Sequence, residues 1–118
     1  MALHFETRIY AAIVELGKAV IPIIRNMHRD VKQLLGRMIV DEVLWMGVLV
    51  MRINKAPGAA RPPMIEELIE HLELVQMNLR FCRELKYIAP ADWAKSLPLI
   101  ESVGKQAYGW RDSFAPAS

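Results

Sequence analysis

The chain has 118 residues, of which 53% are apolar, and its 15 Lys and Arg exceed its 13 Asp and Glu by a net charge of +2. This length suits one domain, and the apolar content exceeds that of disordered chains, so we expect one folded domain over residues 1–118. The balanced charge excludes a general polycation or an acidic tail. The lone cysteine, Cys82, excludes an internal disulfide and a cysteine metal cage.

The first predicted helix covers about residues 4–21. Its apolar residues recur at steps of three and four, which places them on one helix face. They are Phe5, Ile9, Ala12, Ile13, Leu16 and Val20. The dipeptide Ile21–Pro22 is expected to begin the break before the second helix.

The second predicted helix, residues 29–55, is apolar around most of its circumference. Twelve of the sixteen residues from Met38 to Ile53 are apolar. Such a helix must be buried on more than one side. One side would face the core of a bundle, and the other side needs a second partner.

The third predicted helix, residues 62–87, has a clear seam and a second apolar stripe. Pro62 and Pro63 suit its first turn. The seam consists of Ile65, Leu68, Leu72, Val75, Leu79 and Cys82. A stripe on the opposite side, Leu74, Met77 and Phe81, would be a liability in water.

The second apolar side of the second helix and the apolar stripe of the third helix predict a homo-oligomer with an apolar interface. The alternative is a thick, slightly irregular core within one chain. The predicted interface residues are Val43, Met46, Val50, Leu74, Met77 and Phe81.

The fourth predicted helix covers about residues 91–114, with a seam at Ile100, Val103, Ala107, Trp110 and Phe114. Pro98 lies inside this pattern and predicts a kink or a broken first turn. Residues 115–118 are typical of a frayed tail. Four glycines within the helical patterns usually permit close packing. They are Gly36, Gly47, Gly104 and Gly109.

The four patterns predict an all-α, antiparallel four-helix bundle in up-down-up-down order, because short connections reverse the chain direction. This order brings residues 18–37 and 80–95 to one end. That end carries nine bases and three acids, a net charge of +6, while the rest of the chain carries −4. Bases favour helix C-termini, but Arg29, Lys32 and Arg37 lie near a helix start, where the dipole disfavours them.

This concentration of charge predicts a site for a polyanion, RNA or DNA, or for an acidic protein surface; the alternative is a solvated surface. We name six of these residues the basic pole. They are Arg25, Arg29, Lys32, Arg37, Arg80 and Arg83.

Convergent reactive groups are scarce in the sequence. The three histidines, His4, His28 and His71, fall in separate segments, and no metalloprotease, P-loop or dinucleotide-binding motif is present. The face with Glu67 and His71 is interpreted as a solvated acidic surface, although His71 could in principle bind haem. We therefore expect no catalytic site, no metal and no cofactor.

The sequence also predicts where the chain resides. The N-terminus lacks the basic-then-apolar order of a signal peptide. The longest apolar run, Val43 to Met51, has nine residues, and a membrane-spanning helix needs about 20. Together with the free thiol, these features indicate a cytoplasmic protein without membrane contact.

Short motifs along the chain resemble a bacterial family of four-helix bundles. The matching residues are Leu34-Leu35-Gly36, Leu79-Arg80-Phe81, Glu84-Leu85, Pro90, Val103-Gly104-Lys105 and Gly109-Trp110. The resemblance covers about Tyr10 to Phe114. The family includes the proteins encoded in intervening sequences of large-subunit ribosomal RNA genes and Avd, the accessory variability determinant of diversity-generating retroelements.

The resemblance implies a homopentameric ring with a nonenzymatic role. Avd is strongly basic, whereas this chain is nearly neutral; Avd binds nucleic acid and associates with a reverse transcriptase. We thus expect an accessory or adaptor protein that binds nucleic acid, or a nucleic-acid enzyme, through the basic pole. The alternative functions are a structural or protein-interaction ring without nucleic-acid affinity and, least favoured, an enzyme or cofactor-binding bundle.

Overall fold

The computed structural model of the chain describes residues 3–114, with side chains from residue 8 onward. These residues form four long helices and no strand. α1 spans Leu3–Arg25, α3 spans Arg61–Glu84 and α4 spans Pro90–Asp112. α2 consists of three consecutive segments, Arg29–Val31, a π-helical Lys32–Gly36 and Arg37–Lys55. The expected all-α fold with four helices is confirmed.

The four helices pack side by side in a body of 47 × 23 × 19 Å. α1 packs against α2 and α4, and α3 packs against the same two helices. α1 and α3 therefore occupy opposite corners of the bundle. This arrangement matters for the surfaces described below, because a feature of α3 and a feature of the α1–α2 boundary lie on different sides.

α1 continues past the predicted break at Pro22 and ends at Arg25. Proline cannot donate a hydrogen bond to the carbonyl of Lys18, but Lys18 is exposed, so water can satisfy that carbonyl. Ile23 and Ile24 are buried and hold the last turn against the bundle. Burial of these two side chains thus outweighs the hydrogen bond that Pro22 removes.

The π-helical segment of α2 was not anticipated, and it lies where α2 meets the end of α1. A Cβ atom on Gly36 would lie 2.7 Å from Ile24 Cγ2, closer than such carbon atoms approach in proteins. Gly36 therefore allows the two helices to approach closely, as the sequence predicted for this residue. A π turn adds a residue to one helical turn, and such turns often mark functional positions.

α3 ends at Glu84, three residues before its predicted end. The backbone N–H of Tyr87 donates to the carbonyl of Cys82 at 2.7 Å, and Lys86 adopts a φ of 65°. This bond and the left-handed residue form a Schellman motif, which stops the helix. Side-chain periodicity alone extended the helix to residue 87, because Lys86 does not signal a left-handed conformation.

α4 begins with Pro90 at its first turn and runs unbroken through Pro98 to Asp112. The expected break in the first turn is absent from this helix. Ala94, whose carbonyl lacks its usual donor, is exposed and can be hydrated, while Ser96 and Ile100 are buried on either side of Pro98. The predicted frayed tail, residues 115–118, lies outside the described residues, as does the side chain of Phe5.

The core contains most of the seam residues predicted for the first, third and fourth helices, among them Leu16, Leu68 and Trp110. It also contains three residues that the sequence assigned to an oligomer interface. Val43, Met46 and Val50 are 5%, 0% and 1% exposed within a single chain. The assignment is corrected for these three residues, because α2 packs between α1 and α3 and buries them there.

Candidate functional site

Five of the six basic-pole residues lie near helix ends, and Arg37 lies eight residues past the start of α2. Arg25 closes α1, Arg29 opens α2 and Lys32 begins the π-helical segment. Arg80 and Arg83 lie in the last turns of α3. Arg25 and Arg29 lie on either side of the three-residue connection 26–28, and Lys32 follows Arg29 by three residues. No hydrogen bond or ion pair among the described side chains joins them to the two arginines of α3.

The basic-pole residues differ in how far their charges are already paired. Arg83 lies 3.2 Å from a Glu84 carboxylate oxygen, and its guanidinium lies over the Trp93 ring at 5.8 Å. Arg37 lies 4.0 Å from Asp41. The other four, Arg25, Arg29, Lys32 and Arg80, form no ion pair with any described carboxylate. Because they are not neutralised within the chain, these four can bind an external anion.

A second feature is an apolar groove between α1 and α2, with a volume of about 400 Å³. Gly17 and Gly47 lie along it and leave it open, since neither has a side chain. Its exposed walls are Tyr10, Val14 and Ile21 from α1 and Leu44, Val48 and Met51 from α2. The sequence predicted an apolar outer side for α2, but it did not identify these residues or the contribution of α1.

The third feature is the stripe on α3 that the sequence predicted. Leu74, Met77 and Phe81 are 39%, 47% and 54% exposed, so they are free of the chain's own core. Met77 and Phe81 border a shallow depression with Arg80 and Glu84. We call Leu74, Met77 and Phe81 the α3 stripe.

A polar cluster closes the contact between α2 and α3. Glu42 hydrogen-bonds His71 through a carboxylate oxygen and Nδ1, and the side chains are 23% and 20% exposed. The His71 ring meets the Trp45 ring edge-on at 6.4 Å, and the Arg52 guanidinium lies 4.8 Å from the Trp45 ring centroid. The interpretation of His71 as part of a solvated acidic surface is therefore corrected.

The sequence carried one signal for this cluster. Asp41 and Glu42 interrupt the apolar run of α2, and a carboxylate on the flank of a buried helix needs a partner. His71 is that partner for Glu42. Periodicity could not identify it, because the pair depends on the relative alignment of two helices.

Two further observations bear on chemistry. Burial raises the pKa of the Cys82 thiol, which disfavours the reactive thiolate. The described residues hold no group of three or more His, Cys, Asp or Glu side chains arranged to bind a metal ion.

None of the helices in residues 3–114 combines the length and apolar character needed to cross a lipid bilayer.

Comparisons with family models, with curated proteins and with solved structures find no match to this chain. Three surface features of the chain could meet a partner: the basic pole, the apolar groove and the α3 stripe. The class of protein that they define is a small helical bundle with unpaired basic side chains and two exposed apolar surfaces.

Proposed function

We propose that this chain is a noncatalytic adaptor that assembles into a cytoplasmic ring and binds nucleic acid, or a nucleic-acid enzyme such as a reverse transcriptase, through the basic pole. The observation that carries the proposal is the set of four unpaired bases, Arg25, Arg29, Lys32 and Arg80. Phosphate groups are their matching ligands, because Arg and Lys bind phosphate through charge-assisted hydrogen bonds.

The basic pole forms one surface only if the helices alternate in direction, and we propose the up-down-up-down order for that reason. One contact and one connection support it for α3 and α4. Arg111 Nη1, near the end of α4, donates to Glu66 Oε1, near the start of α3, at 2.9 Å. This hydrogen bond raises the pKa of Arg111. Meanwhile residues 85–89 join the other ends of the same two helices. Opposite ends in contact are what antiparallel neighbours require.

Self-assembly is supported by the apolar groove and the α3 stripe. Together they expose nine large apolar side chains on a 118-residue chain. Contiguous apolar patches on a soluble protein mark interaction sites. We further propose that the chain is a relative of the intervening-sequence and Avd proteins. From that resemblance we expect five copies of the 13.5 kDa chain in each ring.

The test of nucleic-acid binding is fluorescence anisotropy with labelled RNA and labelled DNA over a salt series. The variant is Arg25→Glu/Arg29→Glu/Lys32→Glu, which leaves Arg80, beside the α3 stripe, unchanged. A matched control, Arg8→Glu/Lys55→Glu/Lys105→Glu, makes the same change in net charge at exposed positions outside the basic pole. Phosphate contacts release counterions, so each contact makes the slope of log affinity against log salt more negative, by about 0.9 on duplex DNA and about 0.7 on a single strand.

We expect the affinity for nucleic acid to fall steeply as the salt concentration rises. We also expect the pole variant to lose at least about tenfold more affinity than the control variant, by analogy with other phosphate contacts. Equal losses in both variants would show that only net charge matters. No binding at low salt, with an intact oligomer, would favour the alternative, a protein-interaction ring without nucleic-acid affinity. The unpartnered apolar surfaces, which need no polyanion, favour that second function.

A further inference from the structure

We propose that the apolar groove of one copy receives the α3 stripe of the next copy, so that the ring is built from one repeated head-to-tail contact. This inference rests on the proposed self-assembly and adds which two surfaces meet. The occupant of the groove is thus a second copy of this chain.

Shape is the first reason. The groove is concave because Gly17 and Gly47 contribute no side chain to it, and a Cβ on Gly47 would have only Tyr10 within 4 Å, at 3.9 Å. The α3 stripe is a helix face with exposed side chains, and the depression beside Met77 and Phe81 is smaller than the groove. A groove placed against another groove would leave its volume unfilled, and unfilled apolar volume loses contact energy. A groove filled by a helix face does not.

Charge is the second reason. Lys18 is the charged residue among those that line the groove. On α3, three exposed acids lie three or four residues from members of the α3 stripe and so share its helix face: Glu70, Glu73 and Glu84. The base on that face is Arg80, which leaves a net charge of −2 around the stripe. Contact between like surfaces would bring equal charges together, whereas groove against stripe pairs opposite signs. Complementary charge steers association and disfavours wrong pairings.

Position is the third reason. The groove lies at the α1–α2 boundary and the stripe lies on α3, which is diagonal to α1. A contact between two different surfaces is heterologous, and it forms a ring when the rotation closes. Ile21 lies four residues before the end of α1, and Phe81 lies three before the end of α3. In the antiparallel order these residues are at similar heights, as rotation about an axis parallel to the helices requires.

This contact has a consequence for the basic pole. Rotation about one axis keeps equivalent ends of all copies on the same side of the ring. Arg80 borders the stripe and lies beside the contact. The bases repeated on one rim of the ring would therefore be Arg25, Arg29 and Lys32 of every copy. A polyanion that touches several poles at once binds with the advantage of effective concentration.

The test is complementation between two variants. Gly47→Glu places a charged side chain in the groove and leaves the α3 stripe intact. Phe81→Glu disrupts the stripe and leaves the groove intact. Their matched controls are Gly109→Glu and Tyr108→Glu, at exposed positions of α4. Circular dichroism reports folding, and native mass spectrometry reports the number of copies.

We expect each variant alone to be a folded monomer and both controls to retain the wild-type mass. An equimolar mixture of the two variants has one functional groove and one functional stripe per pair, so it should form a 1:1 heterodimer and nothing larger. A mixture that stays monomeric, or either variant alone keeping the wild-type mass, overturns the head-to-tail contact. If Gly47→Glu fails to fold, Leu44→Glu on the groove wall replaces it, since Leu44 is 60% exposed.

The mass of the wild type separates this inference from the proposed function. A monomeric wild type contradicts self-assembly as a whole. An oligomeric wild type whose variants do not complement each other contradicts only the groove-to-stripe contact. In that second case, loss of the oligomer in Phe81→Glu but not in Gly47→Glu identifies a symmetric contact between two stripes.

Discussion

The two flanks of α2 have opposite character although they belong to one helix. Toward α1, the helix presents Leu44, Val48 and Met51 around a groove that Gly47 leaves open. Toward α3, the Glu42–His71 hydrogen bond and the Trp45 ring close the contact. The many apolar residues of α2 thus have two locations: some fill the core, and others line the groove on the side of α1.

This difference has a physical basis in hydrogen bonding and solvent. Polar side chains at the edge of a helix contact satisfy one another and fix the alignment of the two helices. At the α1–α2 contact the side chains are apolar and Gly47 has none, so apolar surface stays exposed that a partner could cover. The α2–α3 flank therefore serves the fold of one chain, and we infer that the α1–α2 flank serves association.

The largest expected effect separates the core side of α2 from its groove side. Met46 is fully buried, whereas Met51 is 55% exposed on the groove. Replacing Met46 with Ala should lower the free energy of unfolding by about 2–5 kcal/mol, because a cavity remains. Met51→Ala should change it by less than about 0.5 kcal/mol, as expected for surface positions. Urea denaturation at a concentration where both variants are monomeric provides the measurement.

The same pair also tests the corrected interface. If Met46 contacted a second copy instead of the core, Met46→Ala would lower the native mass and leave the stability of the monomer unchanged. Equal losses of stability at both positions would mean that the two sides of α2 do not differ in burial.

A smaller effect is expected at the polar flank. Glu42→Ala leaves half-buried His71 without its hydrogen-bond partner, which should destabilise the chain by about 1–2 kcal/mol. Asp41→Ala is the matched control, because Asp41 is exposed and lies 4.0 Å from its only described ionic partner, Arg37. Such surface pairs contribute about 0.2–1 kcal/mol.

A double-mutant cycle with His71→Ala makes this comparison sharper. If Glu42 and His71 act as a pair, removing both should cost less than the sum of the single substitutions, with a coupling of at least about 0.5 kcal/mol. Additive costs would contradict the pairing. The α2–α3 flank would then be closed by packing of Trp45 alone.

Most of the fold could be predicted from the sequence, because helical periodicity is a local property. The second helix was predicted at residues 29–55, which are its limits in the structure. The end of α3 and the passage of α1 through Pro22 could not be predicted. Both depend on tertiary contacts: Ile23 and Ile24 bury the turn after Pro22, and a Schellman motif at Lys86 stops α3 early.

The candidate sites were only partly predictable for the same reason. Exposure of Leu74, Met77 and Phe81 followed from their position opposite the seam. Val43, Met46 and Val50 could not be separated from the groove residues, because a helix that is apolar on most sides gives no indication of which side meets its own chain. The π-helical turn at Lys32–Gly36 gives no periodic signal in the sequence. It lies where Gly36 packs closely against Ile24, a tertiary contact.

The smallest expected effect concerns the glycine that keeps the groove open. Gly47→Ala should raise the free energy of unfolding of the monomer by about 0.5–1 kcal/mol, because alanine favours the helix over glycine. The added Cβ has room, since its nearest neighbour, Tyr10 Cε1, is 3.9 Å away. Gly109→Ala, at an exposed position with nothing within 4 Å, should show the same gain. Gly36→Ala should show a loss instead, because its Cβ would lie 2.7 Å from Ile24.

If Gly47→Ala weakens self-association while Gly109→Ala does not, the glycine is retained for the groove, at a measurable cost to the stability of α2. If neither alters self-association, one methyl group does not reach the proposed contact, and the groove must meet its partner at the outer walls, Leu44 and Met51.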